Sequence, residues 1–173
     1  MELFEDRVAW EAAFRAGWLA HYERTGETDF KQYQRPKNSA APAGAGVDLS
    51  RSRLVLISSA GGYLPATQAP FDAPNPLGDY TIRLLPTSTS LAAIAYAHEH
   101  YDHGAVDADP QVLLPLGHLA ELVATGAVGA LAPNVISFMG YQPDVGRVLD
   151  ELIPAIAAAV QAEGAEAALL VPS

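Results

Sequence analysis

The stretch Leu54-Val55-Leu56-Ile57-Ser58-Ser59-Ala60-Gly61-Gly62 sets the fold. Its first four residues are apolar without a break, the pattern of a strand buried on both faces, and the small residues after it end the strand in a turn. In open α/β sheets, ligands bind outside the carboxyl ends of the strands, where such turns lie. Free backbone N–H groups there can hold an anion, and a plain tight turn explains the same letters equally well. No Gly-Lys-Ser/Thr comes after it, so the turn is not a P-loop. Ser59 and Gly61 are its candidate substrate-binding residues.

Upstream, residues 3–24 read as an amphipathic helix with Phe4, Val8, Trp10, Ala12, Phe14, Trp18 and Leu19 as apolar positions, stopped near Gly26. Trp10 and Trp18 share roughly one face, which suits core or a subunit contact better than a cofactor box. Residues 28–50 form a linking arm without periodicity. Downstream, the proline-rich stretch 63–79 is a long loop of the kind that forms sites. Strands are expected at 80–85, 91–97, 128–131, 135–138 and 165–171, and helices at 116–124 and 144–162, the latter kinked by Pro154. This alternation predicts a layered α/β domain with a mostly parallel sheet flanked by helices. The organisation is an N-terminal helix and arm, residues 1–52, then the α/β domain, residues 53–173.

Composition narrows the function classes. The chain has 173 residues, half of them apolar, enough for one domain with a proper core. Its formal charge of −10 repels phosphate backbones, and Lys31, Arg35, Lys37, Arg51 and Arg53 are spread along a polar segment, so nucleic-acid binding is not expected. The longest apolar run is the seven residues Leu91–Ala97, far short of a membrane span. The acidic start Met-Glu-Leu-Phe-Glu-Asp lacks the features of a signal peptide, which makes the cytoplasm the default expectation. There are no cysteines, hence no disulfide, thiolate metal site or cysteine nucleophile on these residues.

Chemistry concentrates in His98-Glu99-His100-Tyr101-Asp102-His103, which holds three of the five histidines. Imidazole and carboxylate bind metals and move protons near neutral pH. His98, His100, Tyr101 and Asp102 are the candidate catalytic residues. His98, His100, Asp102 and His103 are the candidate ligands for a divalent metal, zinc or iron. The spacing matches H-x-H-x-D-H, which resembles the metal motif of the metallo-β-lactamase superfamily. That fold needs further His and Asp ligands downstream, and only His118 is there. A structural role, a metal site of another kind and acid–base catalysis all remain open on these residues alone. Arg83, in the strand before the cluster, could hold a substrate carboxylate, and Met139 beside Gly140 is a further substrate-binding candidate.

From about residue 53 onward, five landmarks in order resemble one family. Ser58-Ser59-Ala60-Gly61 succeeds the first strand, His98-Glu99-His100-Tyr101-Asp102 corresponds to H-x-H-Y-D, and Val106–Asp109 continues in acidic style. Leu119-Ala120-Glu121-Leu122 opens the next helix, and Ala132-Pro133 with Phe138-Met139-Gly140-Tyr141 corresponds to A-P…F-M-G. Together they are similar to the N-terminal part of the glycine/sarcosine/betaine reductase selenoprotein B family, which includes the D-proline reductase small subunit.

The resemblance implies reductive cleavage of a C–N bond in a small amino acid or amine. A selenocysteine or cysteine would attack, assisted by a partner subunit and thiol donors. In the family a U/C-x-x-C motif comes after a strand like Ala168-Leu169-Leu170-Val171-Pro172; these residues reach Ser173, about where that motif would begin, and carry no cysteine. The implied partners are therefore a small amino acid or amine and a chain carrying the thiol or selenol, with a homo-oligomer as the alternative. An apolar strand edge near Val171 is expected to be covered by that neighbour.

Overall fold

Alternation along one strand sets up two cores. In the computed structural model, which describes residues 4–41, 43–99 and 101–173, β1 (Arg53–Ser58) turns Leu54 and Leu56 to one face and Val55 and Ile57 to the other. The chain runs α1 (Arg7–Phe14), a π-turn (Arg15–Leu19), α2 (Ala20–Thr25), β1, β2 (Gly62–Tyr63), β3 (Arg83–Pro86), β4 (Ala95–Tyr96) and α3 (Gly104–Ala108). It continues through α4 (Leu116–Ala124), β5 (Ala130–Leu131), β6 (Asn134–Ser137), α5 (Val145–Arg147), a second π-turn (Val148–Leu152), α6 (Ile153–Ala162) and β7 (Ala167–Val171).

The sheet is the mixed, mostly parallel one the pattern predicts. β1 pairs in parallel with β5 at its start, β6 at its end and β7 along Leu54–Ser58, while β3 joins β6 antiparallel. Because β7 accompanies β1 along most of its length, β5 and β6 share the opposite side. Leu116 and Leu119 of α4 close over Leu54, Leu56 and Leu85 on one face. Ile156, Ala159 and Val160 of α6 close over Val55, Ile57 and Ile136 on the other. Each such buried aliphatic side chain contributes about 1.5–3 kcal/mol, so the apolar run is the energetic centre as well as the geometric one.

The N-terminal helix carries its own core. Phe4, Trp10, Phe14 and Trp18 are buried and pack against Val145 and Leu149, and Arg7 binds Asp150 through two nitrogens at 2.9 and 2.6 Å. The shared face of the two tryptophans is therefore core. The helix ends at Gly26, whose φ of 72° is the left-handed cap.

Several boundaries move. The helix expected at 3–24 runs from Arg7 to Thr25 among the described residues. The strand expected at 80–85 is Arg83–Pro86; Tyr80 is instead buried, its hydroxyl accepting from Asp144 N–H. The run 91–97 is not a strand of the main sheet: Leu91–Ala93 is a 3₁₀ turn, and only Ala95–Tyr96 pairs, antiparallel with β2. Four of its seven residues are alanine, a weak strand former, so tertiary packing sets the conformation. Val128–Leu131, Val135–Phe138 and 165–171 contract or shift to β5, β6 and β7. The irregularity expected at Pro154 takes the form of the π-turn just before it, where the missing N–H and the ring of proline are accommodated.

A buried carboxylate pins α6 to the sheet. Glu163 accepts from Asn134 N–H at 2.9 Å and from Asn134 Nδ2 at 2.8 Å. Glu163→Ala strands both donors and is expected to cost roughly 1–3 kcal/mol, read as a lower melting temperature. Glu163→Gln keeps one acceptor and should lose less.

Candidate functional site

The carboxyl ends of β1, β6 and β7 are tied together by the turn that ends β1. Phe138 N–H donates to Ser58 O, Gly61 N–H to Phe138 O, Gly140 N–H to Ser59 O, and Ser59 N–H to Val171 O, at 2.9–3.1 Å. Gly61 adopts φ 69°, and Ala97 N–H donates to its carbonyl at 2.9 Å. That bond hangs the histidine segment beside the strand ends.

Above these ends lies a cavity of about 710 Å³, lined by Ser59, His98, Gly140, Ser173 and the apolar walls Phe138, Tyr141, Leu170 and Val171. Its volume suits a small molecule, and mostly apolar walls with a few convergent polar groups are the usual composition of a binding site. A methyl group placed on Gly140 would lie 3.1 Å from His98 Nε2 and 3.2 Å from Ser59 Oγ. The two polar atoms therefore flank one point in space that only glycine leaves open. Ser173 closes the floor: its N–H donates to Ser59 Oγ at 2.9 Å and its hydroxyl to Ser59 O at 3.2 Å.

The histidine segment separates by role. His98 is buried and also lines a second cavity of about 520 Å³, with Phe71, Tyr96, Tyr101 and His103. His103 Nε2 donates to the His98 carbonyl at 2.6 Å and its ring stacks on Tyr101 at 4.5 Å. A carbonyl only accepts, so Nε2 of His103 carries a proton. Tyr101 meets His98 edge-on at 4.9 Å while its hydroxyl donates to Ala60 O at 3.2 Å. Burial pushes the Tyr101 phenol up to about 12, which keeps it a neutral donor at ordinary pH.

Asp102 is exposed and accepts from Gly104 N–H at 2.9 Å, opening α3. His100 lies outside the described residues. Among the described residues no group of three His, Asp or Glu side chains is placed to hold a metal.

Tyr101→Phe removes the hydroxyl bond to Ala60 while keeping the ring. Its expected effect is a loss of about 1 kcal/mol in stability, with the pH profile of any activity unchanged. A flattened pH profile would instead make Tyr101 a proton donor.

The remaining expected residues lie around rather than in the cavity. Met139 is fully buried beneath it, against Phe71 and Ala73. Arg83 is held by the proline-rich loop: its guanidinium donates to Ala69 O, Pro70 O, Thr81 Oγ1 and Ile82 O, and it covers the Phe71 ring at 4.3 Å. His118 is exposed on α4. Gly140, Phe138, Tyr141 and Ser173 are cavity residues that sequence reasoning does not assign to the site. The Phe138-Met139-Gly140-Tyr141 landmark is a usable signal for three of them; for Ser173 the signal is the family motif expected to begin there, and its contact with Ser59 joins the ends of the paired strands β7 and β1.

A mostly parallel α/β sheet with a cavity at its strand ends brings three of the five resemblance landmarks, the Ser-Ala-Gly turn, the histidine segment and the Phe-Met-Gly-Tyr loop, into one place. Over this part the chain is similar to the reductase-B-like family. It is 32% identical to D-proline reductase subunit gamma of Acetoanaerobium sticklandii over 123 residues, 71% of this chain and 49% of that protein. The chain thus spans about half the length of the curated relative it matches. No family model matches the chain, and no solved structure matches it. No helix among the described residues is long and apolar enough to cross a membrane.

Proposed function

We propose that this protein is one component of a reductase that cleaves a C–N bond in a small amino acid or amine, with His98 as the proton donor. A thiolate or selenolate, supplied by a partner chain or by sequence beyond Ser173, attacks the carbon. The C–N electron pair passes to nitrogen, which takes a proton from His98. A second thiol then attacks the sulfur or selenium, forming the S–S or Se–S bond, and the released carbon is protonated. Two thiol-level electrons thereby reduce the substrate.

The observation that carries this reading is the position of Ser173. It lies just past β7, bonds to Ser59 and lines the same cavity as His98, so a reactive group arriving from the end of β7 would meet the imidazole and the Gly140 opening. The kinship with a D-proline reductase subunit supplies the chemical class.

The test has two parts. The codons after Ser173 and the adjoining reading frames are expected to encode a U/C-x-x-C element, a cysteine or selenocysteine with a second cysteine three positions on. The protein assembled with that element should release ammonia or an amine, or open the ring of D-proline, in the presence of dithiothreitol. Absence of such an element from both the chain and its neighbours, or an assembled protein that consumes no dithiol with these substrates, overturns the proposal.

A further inference from the structure

The two edges of the main sheet are unlike. β3 closes one edge antiparallel, short and ending in Pro86. At the other edge β7 pairs only with β1 among the described residues, and its sequence Ala167-Ala168-Leu169-Leu170-Val171 has no charge and no proline. Leu170 is 68% exposed and Leu169 36%. Soluble proteins guard an edge with charge, proline, a bulge or a cover, and β7 has none of the first two. Val171 O accepts from Ser59 N–H. By the alternation of parallel pairing, Ala167, Leu169 and Val171 therefore bond to β1, while Ala168 and Leu170 turn their main-chain N–H and C=O groups outward.

We infer that this edge is the docking site of the partner chain, which adds a strand parallel to β7 through the outward main-chain groups of Ala168 and Leu170, an inference that rests on the function proposed above. Leu170 and Val171 are at once edge residues and cavity walls, so a strand added here becomes the next wall. The direction comes from the chemistry. A parallel strand ends beside Ser173 and His98 and delivers its succeeding residues to the cavity. A second copy paired with β7 across a two-fold axis would run antiparallel and carry its carboxyl end to the opposite side of the sheet. The relative supplies the kind of partner: it is about twice as long as the matched segment, and its unmatched half is polypeptide available to continue such a sheet.

The test co-expresses the chain with the protein of its adjoining reading frame that carries the U/C-x-x-C element. A one-to-one complex is expected, with slowed hydrogen exchange at Ala168 and Leu170. Ala168→Pro removes only an outward donor, which an edge strand tolerates, and Leu170→Lys adds a guarding charge. Each should weaken the complex at least tenfold while leaving the melting temperature of the chain alone within a few degrees. Failure to form a complex, a complex indifferent to both variants, or a homodimer of the chain alone that Ala168→Pro dissociates would each overturn the docking site. Ammonia or amine release, or ring opening, that persists in both variants would sink the docking site and leave the proposed function standing; a variant-sensitive complex without that activity would do the reverse.

Discussion

Gly61→Ala is expected to destabilise the fold by about 2–5 kcal/mol. Two effects add. The left-handed φ of 69° costs an L-residue roughly 1–2 kcal/mol. The added carbon would also lie 2.5 Å from the Ala97 carbonyl oxygen and 3.1 Å from His98 Cβ, and neither atom is the far end of a flexible side chain; overpacking of this kind costs roughly 1–3 kcal/mol more. Relief requires breaking the Ala97 N–H bond to Gly61 O, which holds the histidine segment to the strand ends. For a chain of this size each kcal/mol lowers the melting temperature by about 2–4 °C, so a drop on the order of 10 °C is expected in a thermal melt. Gly26→Ala is the control: its φ is 72° but no atom lies within 4 Å, so it should show the conformational cost alone, roughly 1–2 kcal/mol. Equal losses in the two variants would mean that the contact with Ala97 is not rigid.

On the function proposed above, His98→Ala is expected to reduce the rate of C–N cleavage by about 10²–10⁴-fold, the range for losing a positioned proton donor. Among the described residues of its cluster, His98 is the one that faces the cavity, with Nε2 beside the Gly140 opening. Imidazole added to the medium should restore part of the rate by filling the space left behind. Asp102→Ala, at the exposed residue that caps Gly104, should stay within a fewfold of wild type. Since His98 is buried, urea denaturation of His98→Gln separates lost packing from lost chemistry. A folded His98→Ala protein with the wild-type rate and pH profile would remove His98 from the reaction.

How much of this is legible in the sequence depends on the range of the interactions involved. Leu54–Ile57 is readable as a doubly buried strand because both of its faces are fixed by four consecutive letters. The helix α4 and the final strand are likewise carried by local pattern. Leu91–Ala97 defeats such a reading because an alanine-rich apolar run has no strong preference of its own; the antiparallel contact of β4 with β2 and the hydrogen bond to Gly61 set its conformation. Among the candidate site residues, Ser59 and His98 line the cavity, while Met139 and Arg83 are absorbed by packing with Phe71 and the proline-rich loop.

Contiguous letters were enough for the class of the fold and for the resemblance to a family, and they point to the histidine segment that lines the cavity. Hydrophobic period, small-residue turns and a six-residue histidine segment are all local properties. Which of those letters meet was settled in three dimensions. Ser173 and Ser59 are 114 positions apart and hydrogen-bonded, and Gly140 opens the space between His98 and Ser59. Tyr101, Asp102 and His103 spend polar atoms on Ala60, Gly104 and the His98 carbonyl. Parallel strands bring their carboxyl ends together across long crossovers, so a site built there is composed of residues whose proximity no local pattern encodes.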